Sequence, residues 1–177
     1  MNAELIKQAK VDPEAFGELY EEFYEGIYKF VYLRVNEQAL TEDLVSQIWE
    51  KTLSQLPTLK GNEPEVFRAW IFTLARHSIA DHFRRHREAQ LPEDFDTAAP
   101  DSPVQDFKDQ ELADAVTIAL LGLPQLEREM VSLKIFGDLS NKDIAQVLGK
   151  PERTVGAYLS RALKHLQKRL SYHLKYE

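Results

Sequence analysis

The stretch LSNKDIAQVLGKPERTVGAYLSRALKHL, residues 139–166, predicts two short helices that meet at a glycine. Ser140 and Asp143 resemble a capping box, with Asp in the place usually taken by Glu or Gln. Gly149 suits the left-handed turn between the helices, and Pro151 can start the second one. The apolar positions expected to face each other are Ile144, Ala145, Leu148, Val155, Leu159 and Leu163. This pattern favours a helix-turn-helix; the alternative is a small helical hairpin with solvated basic residues.

The outward side of the second helix carries small and basic residues. In a helix-turn-helix the N-terminal part of this helix enters the major groove of DNA, where side chains reach base edges. Nearby lysines and arginines contact phosphates. The candidates for base contact are Arg153, Thr154, Gly156, Ala157, Ser160 and Arg161; the candidates for phosphate contact are Lys142, Lys150, Lys164, Lys168 and Arg169. Tyr158 can add an apolar or phosphate contact.

Charge is distributed unevenly along the 177 residues, whose formal net charge is −7. Residues 91–111 hold one basic and seven acidic residues, whereas residues 112–177 hold ten basic and seven acidic residues. The overall charge argues against non-specific binding of nucleic acid, but local charge decides where a polyanion docks. The basic C-terminal part is therefore the expected docking surface.

Composition excludes several classes of function. The absence of Cys rules out disulfides, a thiolate nucleophile and Cys-ligated zinc. No signal peptide is recognisable, and no apolar run reaches the roughly 18 residues of a membrane span, so we expect a cytoplasmic protein. No Ser/His/Asp set, glycine-rich phosphate loop or carboxylate pair stands out, so we expect no enzyme, cofactor or small-molecule substrate. His77, His82 and His86 lack further ligands at suitable spacing, so we expect no metal site.

The N-terminal half predicts three helices, because Gly is scarce and no alternating strand pattern occurs. Asp12 and Pro13 can start the first, in DPEAFGELYEEFYEGIYKFVYLRV, and Thr41 can cap the second, in TEDLVSQIWEKTLSQL. The third runs through EVFRAWIFTLARHSIADHFRRHRE. The buried side of the second helix is expected to be Leu44, Val45, Ile48, Trp49, Leu53 and Leu56, and that of the third to include Phe67, Trp70, Ile71, Leu74, Ile79 and Phe83.

The periodic pattern breaks in EAQLPEDFDTAAPDSPVQD, which is acidic and holds three prolines. Such a composition is typical of a flexible tether. We therefore predict an all-α protein of two small helical domains, residues 1–90 and 109–177, joined by an acidic flexible linker, residues 91–108. The C-terminal domain contains the helix-turn-helix.

Aromatic and arginine side chains interleave in FRAWIFTLARHSIADHFRRHR. Aromatic faces stack on unpaired bases and guanidinium groups follow phosphates, so this segment is a candidate for single-stranded DNA. The candidate residues are Arg68, Trp70, Arg76, Arg84 and Arg85. The alternative is that the aromatics form a core and that RRHR is a solvated helix end, favoured by the helix dipole.

These segments, in this order, resemble the bacterial sigma factors of the extracytoplasmic-function (ECF) type, in the sigma-70 superfamily. The resemblance covers residues 12–170. It makes the first predicted helix similar to the family's opening helix, and the second similar to the helix that docks on the clamp coiled coil of the RNA polymerase β′ subunit. The arginine-rich helix resembles the −10 recognition and melting helix, and LPQLEREMVSLKIFGDLSNKDIAQVLGKPERTVGAYLSRALKHL resembles the −35-reading domain.

The resemblance implies a function in promoter selection and assigns residues to it. Core polymerase would be bound by Asp43, Gln47 and Trp49; the −10 element by Lys60, Gly61, Asn62, Arg68, Trp70, Arg76, Arg84 and Arg85; and the −35 element by Lys142, Arg153, Thr154, Gly156, Ala157, Tyr158, Ser160, Arg161 and Lys164. The loop 59–64 matches the one that captures a flipped −10 base. Implied partners are core RNA polymerase, through the β′ clamp coiled coil and the β flap, promoter DNA and an anti-sigma factor.

The chain departs from the family at several of these positions. Many members have Gln-Glu where this chain has Ser46-Gln47, so a usual docking carboxylate is missing. Many have Lys or Arg in place of Gly156 and Ser in place of Ala157. Arg161 is then the strongest candidate for bidentate base contact, and −35 specificity is expected to be unusual, weak or partly dependent on DNA shape.

Two alternative functions remain at this point. A sigma-like decoy would bind an anti-sigma factor without acting at promoters, and the poor recognition residues at Gly156 and Ala157 fit that role. A stand-alone helix-turn-helix repressor would bind duplex DNA unaided and dimerise to match half-sites.

Overall fold

A computed structural model describes residues 2–89 and 111–173, with side chains for residues 2–86 and 115–170. The predicted linker, residues 91–108, lies outside the described residues. The described parts contain helices and no strand, which confirms the all-α prediction. The helices are α1 (Ala3–Ala9), α2 (Pro13–Val35), α3 (Gln38–Gln55), α4 (Pro64–Ala89), α5 (Glu111–Leu121), α6 (Gln125–Ile135), α7 (Asn141–Leu148) and α8 (Glu152–His173).

Local sequence signals set several helix ends where they were predicted. Asp12 caps α2 by accepting a hydrogen bond from the Glu14 amide at 3.0 Å, and Pro13 occupies the first turn. Both hydrogen bonds of the capping box at the start of α7 are present. Gly149 has a φ of 61°, the left-handed conformation that ends α7 and turns the chain into α8.

Helix α1 was not predicted, because seven residues are too few to display an apolar period. Asn2 caps it, accepting a hydrogen bond from the Leu5 amide at 2.8 Å. Ile6 and Ala9 are buried in the core that α1 shares with α2. The helix therefore exists because it packs on its neighbour.

Four expectations from the sequence were wrong. Thr41 does not cap α3, which begins at Gln38; the buried Thr41 hydroxyl instead donates to the Glu37 carbonyl at 2.7 Å. Leu53, Phe83 and Leu163 were placed in the core but are 56%, 43% and 58% exposed. Each lies at the edge of its helix's apolar stripe, and the neighbouring helices cover the adjacent positions, such as Thr52 and Ala162.

One hydrophobic core runs through both halves of the chain. Helices α1 to α4 pack together, α6 lies on α2, and α7 lies on α4. The approach of α6 to α2 is close, because a Cβ atom added at Gly26 would lie 2.7 Å from the Phe136 carbonyl oxygen. A Cβ added at Gly137 would lie 3.1 Å from the Phe72 ring. Two glycines thus permit the two helical domains to pack against each other.

Candidate functional site

The helix-turn-helix carries the predicted −35 residues on α8, except for Lys142, which lies on α7. Val155, Leu159, Ala162 and Leu166 are buried, with Ala162 in the place expected for Leu163. The remaining face is open: Lys142, Arg153, Ala157, Ser160, Arg161 and Lys164 are exposed, and Thr154, Gly156 and Tyr158 are half-buried. All nine residues that the sequence assigned to this surface are therefore exposed or half-buried on the helix-turn-helix.

The Arg161 side chain is held by a carboxylate that the sequence analysis did not single out. Glu127 of α6 has a side chain only 3% exposed, and its Oε1 lies 3.7 Å from Arg161 Nη1. Its other oxygen, Oε2, lies 3.1 Å from Nδ1 of His165. The Arg161 guanidinium also lies over the Tyr158 ring, 5.1 Å from its centroid. These contacts orient Arg161 while leaving 57% of its side chain exposed.

Gly156 lies on this open face without being required by packing. A Cβ atom added there would come no nearer than 4.0 Å to another atom, the Nδ2 of Asn141. Its backbone is helical, so no special conformation demands glycine. The missing side chain leaves a gap between the exposed residues Arg153 and Ser160.

The loop between α3 and α4 carries three predicted −10 residues. Lys60 and Gly61 are exposed and Asn62 is half-buried. Gly61 has a φ of +90°, a conformation that favours glycine, and a Cβ atom there would lie 2.5 Å from Glu63 Oε2. Lys10, just after α1, donates hydrogen bonds to this loop.

Three arginines of α4 are paired with carboxylates. Arg76 Nε donates to Glu129 Oε1 of α6 at 2.9 Å, and its Nη1 lies 3.4 Å from the Val147 carbonyl oxygen. Arg68 Nη1 lies 3.1 Å from Asp138 Oδ2. Arg84 pairs within its own helix, 3.0 Å from Asp81. Two of the predicted −10 arginines, Arg68 and Arg76, are therefore occupied by the C-terminal domain.

A groove of about 680 Å³ runs along the junction of α4 and α7. The half-buried Trp70, Thr73 and Arg76 line one side, and Gln146 and Val147 line the other. Trp70 also packs on Phe67, with ring centroids 5.9 Å apart. Trp70 thus belongs to the edge of the core and still reaches an open surface.

A smaller cleft of about 230 Å³ lies between α3 and α4 and includes Arg85. Beside it, the His82 and His86 rings stack with centroids 4.3 Å apart. Burial, followed by the charges of His86 and Arg85, lowers the pKa of His82, and the charge of Glu37 opposes this shift. In the described parts of the chain, no group of three His, Cys, Asp or Glu side chains is arranged to hold a metal ion.

Two family profiles match the chain in consecutive segments. Sigma-70 region 2 matches residues 19–89, and Sigma-70, region 4 matches residues 114–166. The first segment contains the arginine-bearing α4 and the second contains the helix-turn-helix. The chain belongs to the sigma-70 family.

The similar proteins include ECF sigma factors. The chain is 30% identical to the ECF RNA polymerase sigma factor BldN of Streptomyces coelicolor over 94% of its length, and it spans 65% of the length of BldN. It is 26% identical to the ECF RNA polymerase sigma factor RpoE of Cereibacter sphaeroides, covering 90% of this chain and 88% of RpoE. The fold resembles that of RpoE of Bartonella quintana, solved in complex with the anti-sigma factor NepR: TM-score 0.64, 23% identity, covering 88% of this chain and 96% of RpoE.

Membership in this family supports a sigma factor for promoter-specific transcription. The decoy and the stand-alone repressor are not favoured, since regions 2 and 4 occur together and in family order. Among residues 2–89 and 111–173, no helix is both long and apolar enough to cross a bilayer.

Region 2 of this sigma factor exposes one face of α3. Asp43 and Gln47 lie one turn apart and are exposed, as predicted docking residues should be. Trp49 is only 5% exposed and packs on Phe16 and Tyr20, with ring centroids 6.0 and 4.8 Å away. Trp49 therefore packs α3 against α2 and does not face outward as a docking residue would.

Four contacts to predicted site residues were not predicted from the sequence. Lys10, Glu127, Glu129 and Asp138 contact predicted site residues that lie far away along the chain. No local sequence pattern indicates such pairs, because in the sequence each of these residues looks like an ordinary charged surface residue. Leu53, exposed on the same helix as Asp43, was misassigned because its spacing fitted the apolar stripe.

Proposed function

We propose that this sigma factor binds core RNA polymerase and reads two promoter elements, one with each helical domain. The observation that carries the proposal is the division of α8 into two faces. Its apolar face is buried against α5, α6 and α7. Every residue expected to contact the −35 element is exposed or half-buried on the rest of the helix-turn-helix. A helix whose N-terminal half exposes small and basic residues suits the major groove.

The −35 contact would depend on few side chains. Arg161 is oriented by Glu127 and Tyr158, and its exposed guanidinium suits bidentate contact with guanine. Gly156 and Ala157 offer no polar group to a base. Arg153, Lys142 and Lys164 are exposed and suited to phosphates. The specificity of this sigma factor would therefore depend on Arg161, Thr154 and Ser160, together with the shape of the DNA.

The −10 contact would be made by the loop 59–64 and by α4. Lys60, Gly61 and Asn62 would line the pocket for a flipped base, and Trp70, Arg84 and Arg85 would contact the separated strands. Arg68 and Arg76 would join them after leaving Asp138 and Glu129. Promoter binding would then require the two domains to move apart, which supports a role for polymerase in holding them separated.

Core polymerase would be bound through the exposed face of α3. Asp43 and Gln47 would contact the β′ clamp coiled coil, and Trp49 would hold α3 in place from the core. The β flap would bind region 4. Because RpoE of Bartonella quintana forms a complex with the anti-sigma factor NepR, we propose a protein of that class as a regulatory partner. The protein would act in the cytoplasm, without a cofactor, a small-molecule substrate or an enzymatic activity.

Run-off transcription on fragmented genomic DNA of the source organism, with bacterial core polymerase, tests this function. The protein is expected to produce new transcripts whose start sites share two upstream elements. Arg161→Ala should reduce them, whereas Lys7→Ala, at an exposed position of α1, should not. Binding to core polymerase without new transcripts would favour the decoy, and no binding to core would contradict both functions.

A further inference from the structure

The ammonium group of Lys10 is fully used by a loop that is distant in sequence. Lys10 Nζ donates to the Leu59 carbonyl at 2.8 Å, to the Gly61 carbonyl at 3.0 Å and to Asn62 Oδ1 at 2.7 Å. An ammonium has three N–H donors, so all three are satisfied. Hydrogen bonds from a charged donor are roughly twice as strong as neutral ones. Lys10 therefore fixes the loop to the end of α1.

Other contacts support the two ends of the loop: the Leu59 amide donates to the Leu56 carbonyl at 3.0 Å, and the Leu59 side chain packs on the core. Residues 59–63 lie between a 3-10 turn, Leu56–Thr58, and the start of α4. Gly61 has a φ of +90°, and the Asn62 amide donates to Glu63 Oε2 at 3.1 Å. Two charged side chains, Lys10 and Glu63, thus contact the same short segment, one from outside the loop and one from its end.

Lys10 also determines which polar group Asn62 offers. An Asn side chain has one acceptor oxygen and one donor nitrogen. Because Oδ1 accepts from Lys10, Nδ2 is the group that remains, and it donates to no residue in the described parts of the chain. The half-buried Asn62 consequently keeps a hydrogen-bond donor that is free for a ligand.

We infer that Lys10 is a positioning residue for base recognition: by holding Asn62 Oδ1 it aims Nδ2 outward, so that the loop selects a flipped base through an acceptor atom. This inference rests on the proposed function of the loop in capturing a −10 base. Lys10 does not contact DNA itself, because its three donors are occupied and its side chain is half-buried. It also gives α1 a function that the family resemblance, which begins at residue 12, does not include.

The test measures transcription by the reconstituted holoenzyme on promoters carrying each of the four bases at the captured position. Lys10→Met keeps the length of the side chain and removes the donors; Lys7→Met, on the exposed side of α1, is the matched control. We expect Lys10→Met to reduce the preference between bases about tenfold, the order expected for one charge-assisted hydrogen bond. Binding to core polymerase and dependence on the −35 element should not change.

A double-mutant cycle separates positioning from general support of the fold. In an Asn62→Ala background the orientation of the amide no longer matters, so Lys10→Met should have no further effect on base preference. A uniform loss of transcription on all four bases, with or without Asn62, would overturn the inference, as would an unchanged preference. If Lys10→Met lowers the melting temperature, the same cycle is measured at a temperature at which all four proteins are fully folded.

The wild-type measurement distinguishes a failure of the proposed loop function from a failure of the role assigned to Lys10. A wild-type holoenzyme that ignores the base at every −10 position contradicts the proposed function of the loop. A wild-type preference that survives Lys10→Met contradicts only the function assigned to Lys10.

Discussion

Arg76 Nε of α4 lies 2.9 Å from Glu129 Oε1 of α6, so a side chain expected to contact promoter DNA is bound to the other domain. The Glu129 side chain is largely buried, and Arg76 is partly exposed. The same relationship joins Arg68 to Asp138, whose φ of 49° is unusual for a residue other than glycine. If Arg68 and Arg76 contact DNA as proposed, the packed arrangement of the two domains and the DNA-bound arrangement would compete for the same arginines.

Removing the charge of Glu129 should free Arg76 for DNA. Glu129→Gln is expected to increase affinity for a single-stranded −10 oligonucleotide about fivefold at low salt, because a partly exposed ion pair is worth roughly 1 kcal/mol. Fluorescence anisotropy of the free protein measures this. Glu21→Gln, which removes an exposed carboxylate of α2, should change affinity much less. Equal effects of the two substitutions would show that the affinity depends only on net charge, and would contradict the release of Arg76 as the cause.

A methyl group at Gly26 should separate the domains without altering any charge. The Cβ atom of an alanine there would lie 2.7 Å from the Phe136 carbonyl oxygen, a backbone atom that cannot rotate away. Gly26→Ala is therefore expected to increase the radius of gyration in small-angle scattering. Gly17→Ala is the matched control in the same helix, since nothing lies within 4 Å of its Cβ. It should leave the radius unchanged and stabilise α2 by up to about 1 kcal/mol; identical scattering from the two variants would refute the expectation.

An arginine at position 156 should strengthen binding to −35 DNA. The site has room for a side chain, and replacing a helical glycine adds up to about 1 kcal/mol of helix stability. We expect Gly156→Arg to raise transcription from promoters with a −35 element. The affinity for −35 DNA should also fall more steeply with salt, by the amount expected for about one additional phosphate contact. Gly156→Ala should reproduce the gain in melting temperature alone. A fall in melting temperature for both would mean that position 156 is packed.

Acid should destabilise the N-terminal domain through His82. Its folded-state pKa lies below the ordinary value of 6.5, mainly because of burial and then His86. The unfolded chain therefore takes up a proton more readily, and stability that is complete above about pH 7 is lost as the pH falls below the ordinary pKa. His82→Gln should flatten the melting temperature between about pH 7 and pH 5. His77→Gln, at an exposed position of α4, should keep the wild-type profile; the opposite ranking would exclude His82 as the cause.

The sequence by itself determined features that depend on neighbouring residues. Asp12 and Pro13 start α2, Ser140 and Asp143 cap α7, and Gly149 makes the turn into α8. These signals work locally, because a cap or a left-handed turn satisfies backbone groups within a few positions. The outward face of α8 was predicted from the helical spacing of its apolar residues. A helix turns by about 100° per residue, so residues one and two positions from a buried residue point in other directions.

Only the tertiary structure decided what depends on distant partners. Leu53 and Leu163 fit the apolar stripes of their helices, but no neighbouring helix in the described parts of the chain covers them, so they are exposed. Lys10 meets Asn62 across 52 positions, and Arg76 meets Glu129 across 53. The sequence around a charged residue does not indicate its partner, because packing elsewhere in the fold must first bring the donor and acceptor atoms within about 3 Å of each other. The sequence therefore predicted which residues could contact DNA, and the fold determined which of these residues are paired with a distant partner and which are buried.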